Sequence, residues 1–253
     1  MRPVEVPARV RLSDHLVLHL AREIVGGRLR PGDSAPPESE LAAALNISKP
    51  VVRESIQALV GLGLIRVQQG KRTQVLPPHE WNVLAPVVQQ AFVVEGRADS
   101  LTAQFYEVRL PLESQAAAWA AERANEQELA EIESLARRLD DLARAEDLDA
   151  FLSADRELHT AIAEAAGNDV LLGVLRNLQS FLARAWTDSR VRPRHLQELA
   201  EQHNAVARSI LGRRPRDAAR AMERHLNWAM RLETSKDGNR PRQLRDRPVR
   251  AEG

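Results

Sequence analysis

The chain has 253 residues, 43% of them hydrophobic, and a formal net charge of +1. That length and apolar content support folded cores, two domains being the better division, and exclude a disordered chain. The absence of cysteine excludes disulfides and thiolate metal sites and suits the reducing cytoplasm; no apolar run approaches the roughly 18 to 20 residues that span a bilayer, and the N-terminal MRPVEVPARV lacks the apolar core of a signal peptide, so no membrane contact is expected.

The small net charge conceals a division along the chain. Residues 1–76 hold 11 Lys and Arg against 7 Asp and Glu, residues 77–233 hold 19 against 25, and the last 20 residues hold 6 against 3. Only the ends are basic, which suits a phosphate-binding head on a body that does not bind nucleic acid. From Ile24 to Val75 an amphipathic helix, the acidic segment PPESELAAALNIS, the helix KPVVRESIQALVGLGLI and the ribbon RVQQGKRTQV follow in quick succession. This is the order of a winged helix-turn-helix with a small β wing. Asn46, Ile47 and Ser48 form the turn, with Ser48 placed to cap the second helix through its side chain. In that helix Val52, Ile56 and Leu59 form an apolar stripe, while Lys49 and Arg53 lie one turn apart near the N-terminal end, where a major-groove helix reaches base edges.

Pro77 and Pro78 end the wing. Trp81, Leu84, Val87 and Val88 give a short helical pattern before Gly96. From Leu101 onward apolar residues recur at three and four, with breaks at Asn125, Glu146 to Asp147, Gly167-Asn168, Arg192-Pro193 and Gly212 to Pro215. Six or seven helices fill this space, so an antiparallel bundle is expected. The domain division read from these signals is a head at 1–76, a linker with a short helix at 77–100, a helical body at 101–233 and a basic, aperiodic, disordered tail at 234–253.

Within the body, Asp155 and His159 are four apart and share one helix face, while His203 and His225 fall on two later helices. Three helices can aim a carboxylate and three imidazoles at one point, a set suited to zinc, nickel or manganese. Surface placement of each residue is the alternative that spacing leaves open. His15 and His19, also four apart, lack a third partner and read as ordinary residues of the first helix, and His79 and His195 sit at segment edges. Arg109 could form a surface ion pair with Glu113 one turn on.

The residues Pro31, Gly32, Pro37, Glu38, Glu40, Leu41, Ala42, Leu45, Ser48, Val52, Arg53, Glu54, Leu59, Gly63 and Leu64 resemble, in order, the signature of the GntR family of transcription regulators. The segments Glu107 to Glu113, Asp155 to His159, Ala166 to Asn168, Glu201 to His203 and Ala218 to Leu226 are similar to the FCD ligand-binding domain of its fatty-acid-regulator branch. The resemblance implies a mainly α protein with a winged helix-turn-helix and an all-helical antiparallel FCD bundle. It implies a cytoplasmic homodimer that binds an inverted repeat in double-stranded operator DNA through Ser48, Lys49, Arg53, Gln69, Gly70, Lys71 and Thr73. It implies one divalent metal ion per subunit on Asp155, His159, His203 and His225, zinc foremost, and a small organic acid effector held by Arg109 with Arg184. Ser39 and Lys49 depart from arginines usual in the family, which weakens bidentate reading of guanine. The functional expectation is a regulator, more often a repressor in this family, and not an enzyme. A metal-dependent enzyme is the rival from another class, and a sensor in which the ion itself is the signal is a third.

Overall fold

The computed structural model describes residues 11–67, 73–185 and 191–234. The chain divides into two compact units, one of Met1–Leu101 with Ser180–Arg184 and the other of Thr102–Gln179 with Ala185–Gly253.

In the first unit α1 (Leu12–Val25) turns Leu16, Val17, Leu20, Ala21 and Ile24 inward, an i, i+4, i+8 stripe that packs on α3 (Lys49–Gly61) and α4 (Pro86–Val94). His15 and His19 face outward on α1. Between α2 (Glu38–Leu45) and α3 the backbone reverses at Asn46, whose φ of 52° is left-handed, a conformation that a short polar side chain tolerates. Ser48 is the N-cap residue of α3, yet its side chain accepts no capping hydrogen bond, contrary to expectation. Pro50 at the second helical position removes one of the two N–H groups that such a cap can meet, and the other, on Val51, is not taken up by the Ser48 side chain either. Val52, Ile56 and Leu59 are buried as their spacing predicts.

The wing begins at β1 (Ile65–Arg66), which pairs antiparallel with β2 (Gln74–Val75) in the register Ile65 to Val75. Gly63 precedes it at a φ of +68°, where an added Cβ would lie 2.1 Å from the Glu80 carbonyl oxygen. Only glycine fits there. The helical pattern read from Trp81 and Leu84 starts later than expected. Pro78–Glu80 forms a single 3-10 turn, Trp81 donates its indole N–H to the Leu76 carbonyl at 2.8 Å, and α4 begins at Pro86. Proline presets the first helical turn but forces the residue before it, Ala85, into extended backbone.

The second unit holds α6 (Glu126–Arg144), α7 (Leu148–Ala165), α9 (Leu196–Leu211) and α10 (Pro215–Thr234), with α5 (Ala98–Arg123) from Thr102 onward and α8 (Asp169–Ala185) up to Gln179. The junctions α5–α6, α6–α7, α7–α8 and α9–α10 fall at breaks read from the sequence. Asn125 caps α6 by accepting from the N–H groups of Gln127 and Glu128, Glu146, Gly167 and Arg213 take left-handed φ, and a 3-10 turn at Pro193–His195 leads into α9. α6 packs on both α7 and α9, and α9 on α10, so the inner faces of α7, α9 and α10 surround one core. Among the described residues no helix is long and apolar enough to cross a membrane.

Candidate metal centre and reading helix

Asp155 and His159 project from the inner face of α7, His203 from α9 and His225 from α10, and all four are buried. One ligand atom from each lies within 4.8 Å of the other three. The Asp155 carboxylate oxygen Oδ1 is 2.9 Å from His203 Nε2 and 4.0 Å from His159 Nε2. His159 Nε2 is 3.2 Å from His225 Nε2 and 3.4 Å from His203 Nε2.

An outer ring of contacts sets which nitrogen faces inward. His159 Nδ1 lies 2.5 Å from Glu113 Oε2, and His225 Nδ1 lies 3.2 Å from the Gln202 side-chain oxygen. Both oxygens accept a hydrogen bond, so each Nδ1 carries the proton and each Nε2 turns a lone pair to the centre. Lone pairs aimed at each other across 3.2 Å repel unless a cation or a shared proton sits between them. Carboxylates bound to the far nitrogen of a metal-ligating histidine orient the ring in the same manner. His203 Nδ1 is buried with no partner among the described residues. Three imidazoles and one carboxylate, with two rings oriented from behind, fit a borderline divalent ion.

Electrostatics favour a cation at the centre. Burial alone would raise the Asp155 carboxyl, but the three imidazoles hold it well below the ordinary range. Burial first, and then the nearness of the other imidazoles, push His225 down, which favours its neutral, ligating form. His159 is pushed down by burial and up by Glu113, and the upward push prevails. Glu113 itself is opposed by burial yet held at about 2 by Arg109 and His159.

Arg109 lies deeper than its spacing alone suggested. It pairs with Glu113, Nε to Oε1 at 2.5 Å, but the pair is buried, with side chains 4% and 2% exposed, and is no surface bridge. Its guanidinium also lies 5.2 Å from the Tyr106 ring centre. A small pocket lined by Tyr106, Arg109, Leu152, Asp155, His159 and Trp228, among others, has about 30 Å³ open to the centre of a water-sized sphere. That is room for a water or two and not for an organic acid. Arg184 belongs to α8 by its backbone, and its side chain lies outside the described residues.

On α3 Lys49 and Arg53 are exposed and, with Pro50, Glu54 and Gln57, line an open depression of about 380 Å³. Arg53 Nε sits 3.4 Å from Glu38 Oε2 on α2, a partner that the spacing did not announce. Behind it Ser55 is fully buried, with its hydroxyl 3.1 Å from the Ser13 carbonyl of α1 and 2.9 Å from the Val51 carbonyl, so α3 is locked in orientation. Thr73 is half-buried beside the wing strand, and its carbonyl accepts from Ala35 N–H at 2.8 Å. Gln69, Gly70 and Lys71 lie outside the described residues.

Sequence reasoning passed over Glu113 and Gln202 as orienting residues, although each is adjacent to a residue it singled out: Glu113 one turn after Arg109, Gln202 beside His203. Glu38 and Tyr106 carried no signal of their contacts.

The geometry can now be set beside known proteins. The model of bacterial regulatory proteins of the gntR family matches residues 12–75, and that of the FCD domain matches residues 104–227. The galactonate operon transcriptional repressor of Escherichia coli (strain K12) is 33% identical over 200 residues, covering 77% of this chain and 86% of the relative. The chain belongs to the GntR family. This GntR-family protein is also 31% identical over 228 residues to the HTH-type transcriptional repressor NanR of Salmonella newport (strain SL254), covering 87% of this chain and 84% of that one. Among solved structures, Lar, which controls the expression of the Listeria monocytogenes agr system and mediates virulence, superposes with a TM-score of 0.57 at 14% identity over 89% of this chain and 98% of its own, a likeness of fold. As a GntR-family protein with an FCD domain, the chain is a transcription regulator and not an enzyme.

Proposed function

We propose that this regulator is a cytoplasmic homodimeric repressor that binds an inverted-repeat operator and whose operator affinity is set by a small organic acid bound at a divalent metal in the helical body. The observation that carries this reading is the convergence of four buried ligand atoms within 4.8 Å, with the Nε2 atoms of His159 and His225 turned inward by Glu113 and Gln202. Asp155, His159, His203 and His225 would hold one ion per subunit, zinc foremost, with nickel or manganese as alternatives. A bound ion supplies Lewis-acid positions for ligand oxygens. Arg109 supplies fixed positive charge: its Nε is engaged by Glu113, and its terminal N–H groups would meet a carboxylate at the pocket wall. Arg184 is the second candidate for an effector contact. The head would comprise residues 1–76, the linker 77–100, the body 101–233 and the tail 234–253, with Ser48, Lys49, Arg53, Gln69, Gly70, Lys71 and Thr73 on DNA. Repression follows the two relatives, both of them repressors.

A pocket of about 30 Å³ cannot take an organic acid without moving its walls. Binding therefore selects an arrangement of the bundle other than this one, and by linkage it alters DNA affinity only as far as it prefers that arrangement. Calorimetry with sugar acids, hydroxy acids and dicarboxylates tests the reading. The galactonate repressor relative puts sugar acids first in the panel. The expected result is a binder whose affinity falls at least tenfold both in Arg109→Ala and in the metal-free protein. A best ligand that is uncharged, or indifferent to both changes, overturns the effector reading, and so does an operator affinity that responds fully to metal alone.

A further inference from the structure

A second cavity, open to solvent and of about 380 Å³, lies between the C-terminal half of α9 and the first three turns of α10. Its size falls in the range of about 300–1,000 Å³ that small-molecule sites occupy. Arg208, Arg214, Arg220 and Arg224 line it, with Asp217 as the one acid and Ser209 at the wall. Asp217 is 3.5 Å from Arg214, whose guanidinium also donates to the Arg208 carbonyl at 3.4 Å. Arg208, Arg220 and Arg224 are exposed and make no ion pair among the described residues. Three arginines without an ion pair among the described residues thus line one open cavity in a body whose residues 77–233 carry more acids than bases, 25 against 19. The cavity shares no lining residue with the pocket at the metal centre.

We propose that this cavity is a binding site for a compact chain of two or three phosphate groups. A single carboxylate would satisfy one guanidinium and leave the others repelling one another. Adjacent phosphates carry several charges at close spacing, and Arg220 and Arg224, one helical turn apart with their Cβ atoms about 6 Å from each other, match that spacing. Guanidinium forks bind phosphate oxygens in pairs, which sets direction as well as attraction.

The test is calorimetry with inorganic tripolyphosphate on the full chain and on Arg220→Gln/Arg224→Gln, which keeps the side-chain stems and removes two charges. Both proteins retain the head and the metal centre, so any binding or chelation there cancels in the comparison. The double variant should bind at least tenfold more weakly, Arg137→Gln on the surface of α6 should match wild type, and orthophosphate should bind wild type at least tenfold more weakly than tripolyphosphate. Nucleoside triphosphates distinguish the source: affinity equal to tripolyphosphate assigns the phosphate chain alone, and higher affinity assigns a nucleotide, both within the proposal. Tripolyphosphate affinity equal in wild type and double variant overturns it, as does a variant that loses only duplex DNA binding.

Discussion

Replacing Glu113 by Gln separates the two jobs that its carboxylate does. Glu113 stands 2.5 Å from Arg109 Nε and 2.5 Å from His159 Nδ1, and all three side chains are at most 4% exposed. Gln keeps the shape and loses the charge. In the metal-free protein Arg109 is then a buried cation without its counter-ion, a change that costs about 3–5 kcal/mol when one partner of a buried pair is removed. The amide also has only one oxygen for two donors. If its NH₂ faces His159, the imidazole proton moves to Nε2 and masks the ligand atom. Loss of such an orienting carboxylate lowers metal affinity about 10–100-fold, or about 1.4–2.7 kcal/mol. Urea unfolding of the metal-free proteins reads the first effect, and zinc titration against a competing chelator reads the second. Arg109→Met added to Glu113→Gln removes the stranded charge and should recover at least half of the lost stability while leaving metal affinity low. A Glu113→Gln protein within about 1 kcal/mol of wild type, with unchanged zinc affinity, refutes the reasoning, and a double variant no more stable than the single one refutes the charge argument.

His203→Ala should lose the metal and with it the tie between α7, α9 and α10, so elemental analysis showing wild-type metal content would defeat the ligand assignment. Arg53→Ala should abolish specific operator binding while leaving weak binding to random DNA, and an equal loss on both in a gel-shift titration would remove its base-reading role. Glu95 accepts from Arg28 and Arg22, both at 2.8 Å, and these bonds, Arg28 first, hold its carboxyl at about 2 against an ordinary 4.5. Its folded value is depressed, so its contribution is fully present above pH 4.5 and is lost as pH falls toward 2. The stability gap between wild type and Glu95→Gln should therefore close across that interval, and a gap of constant size in acid-unfolding curves would contradict the ion-pair account. Gly63→Ala forces a left-handed φ on alanine and drives its Cβ to 2.1 Å from the Glu80 carbonyl oxygen, so a loss of at least about 2 kcal/mol is expected in urea unfolding; a change within experimental error would show that the turn can open without cost.

Much of the architecture is legible in the chain because it is written in local rules. Helix ends are marked by residues that leave helical φ and ψ with little strain, and Asn125, Gly167 and the Gly212 to Pro215 turn fall where the helices stop for that reason. Proline shows the limit of the same rules: Pro86 holds Ala85 extended and delays the start of α4. The chemical types of the central residues, one Asp and three His at helical positions, are equally readable, because each is a property of one residue and its helix face. What a side chain meets from another helix is not a local property. Whether Arg109 lay at the surface, which nitrogen of His159 faced inward, that Glu38 would hold Arg53, and how little space remained beside the ligand cluster were decided only when helices far apart in sequence were packed together. Residue type and periodicity constrain which face is buried, whereas burial of a charge and the direction of a lone pair depend on the neighbours that the tertiary structure brings.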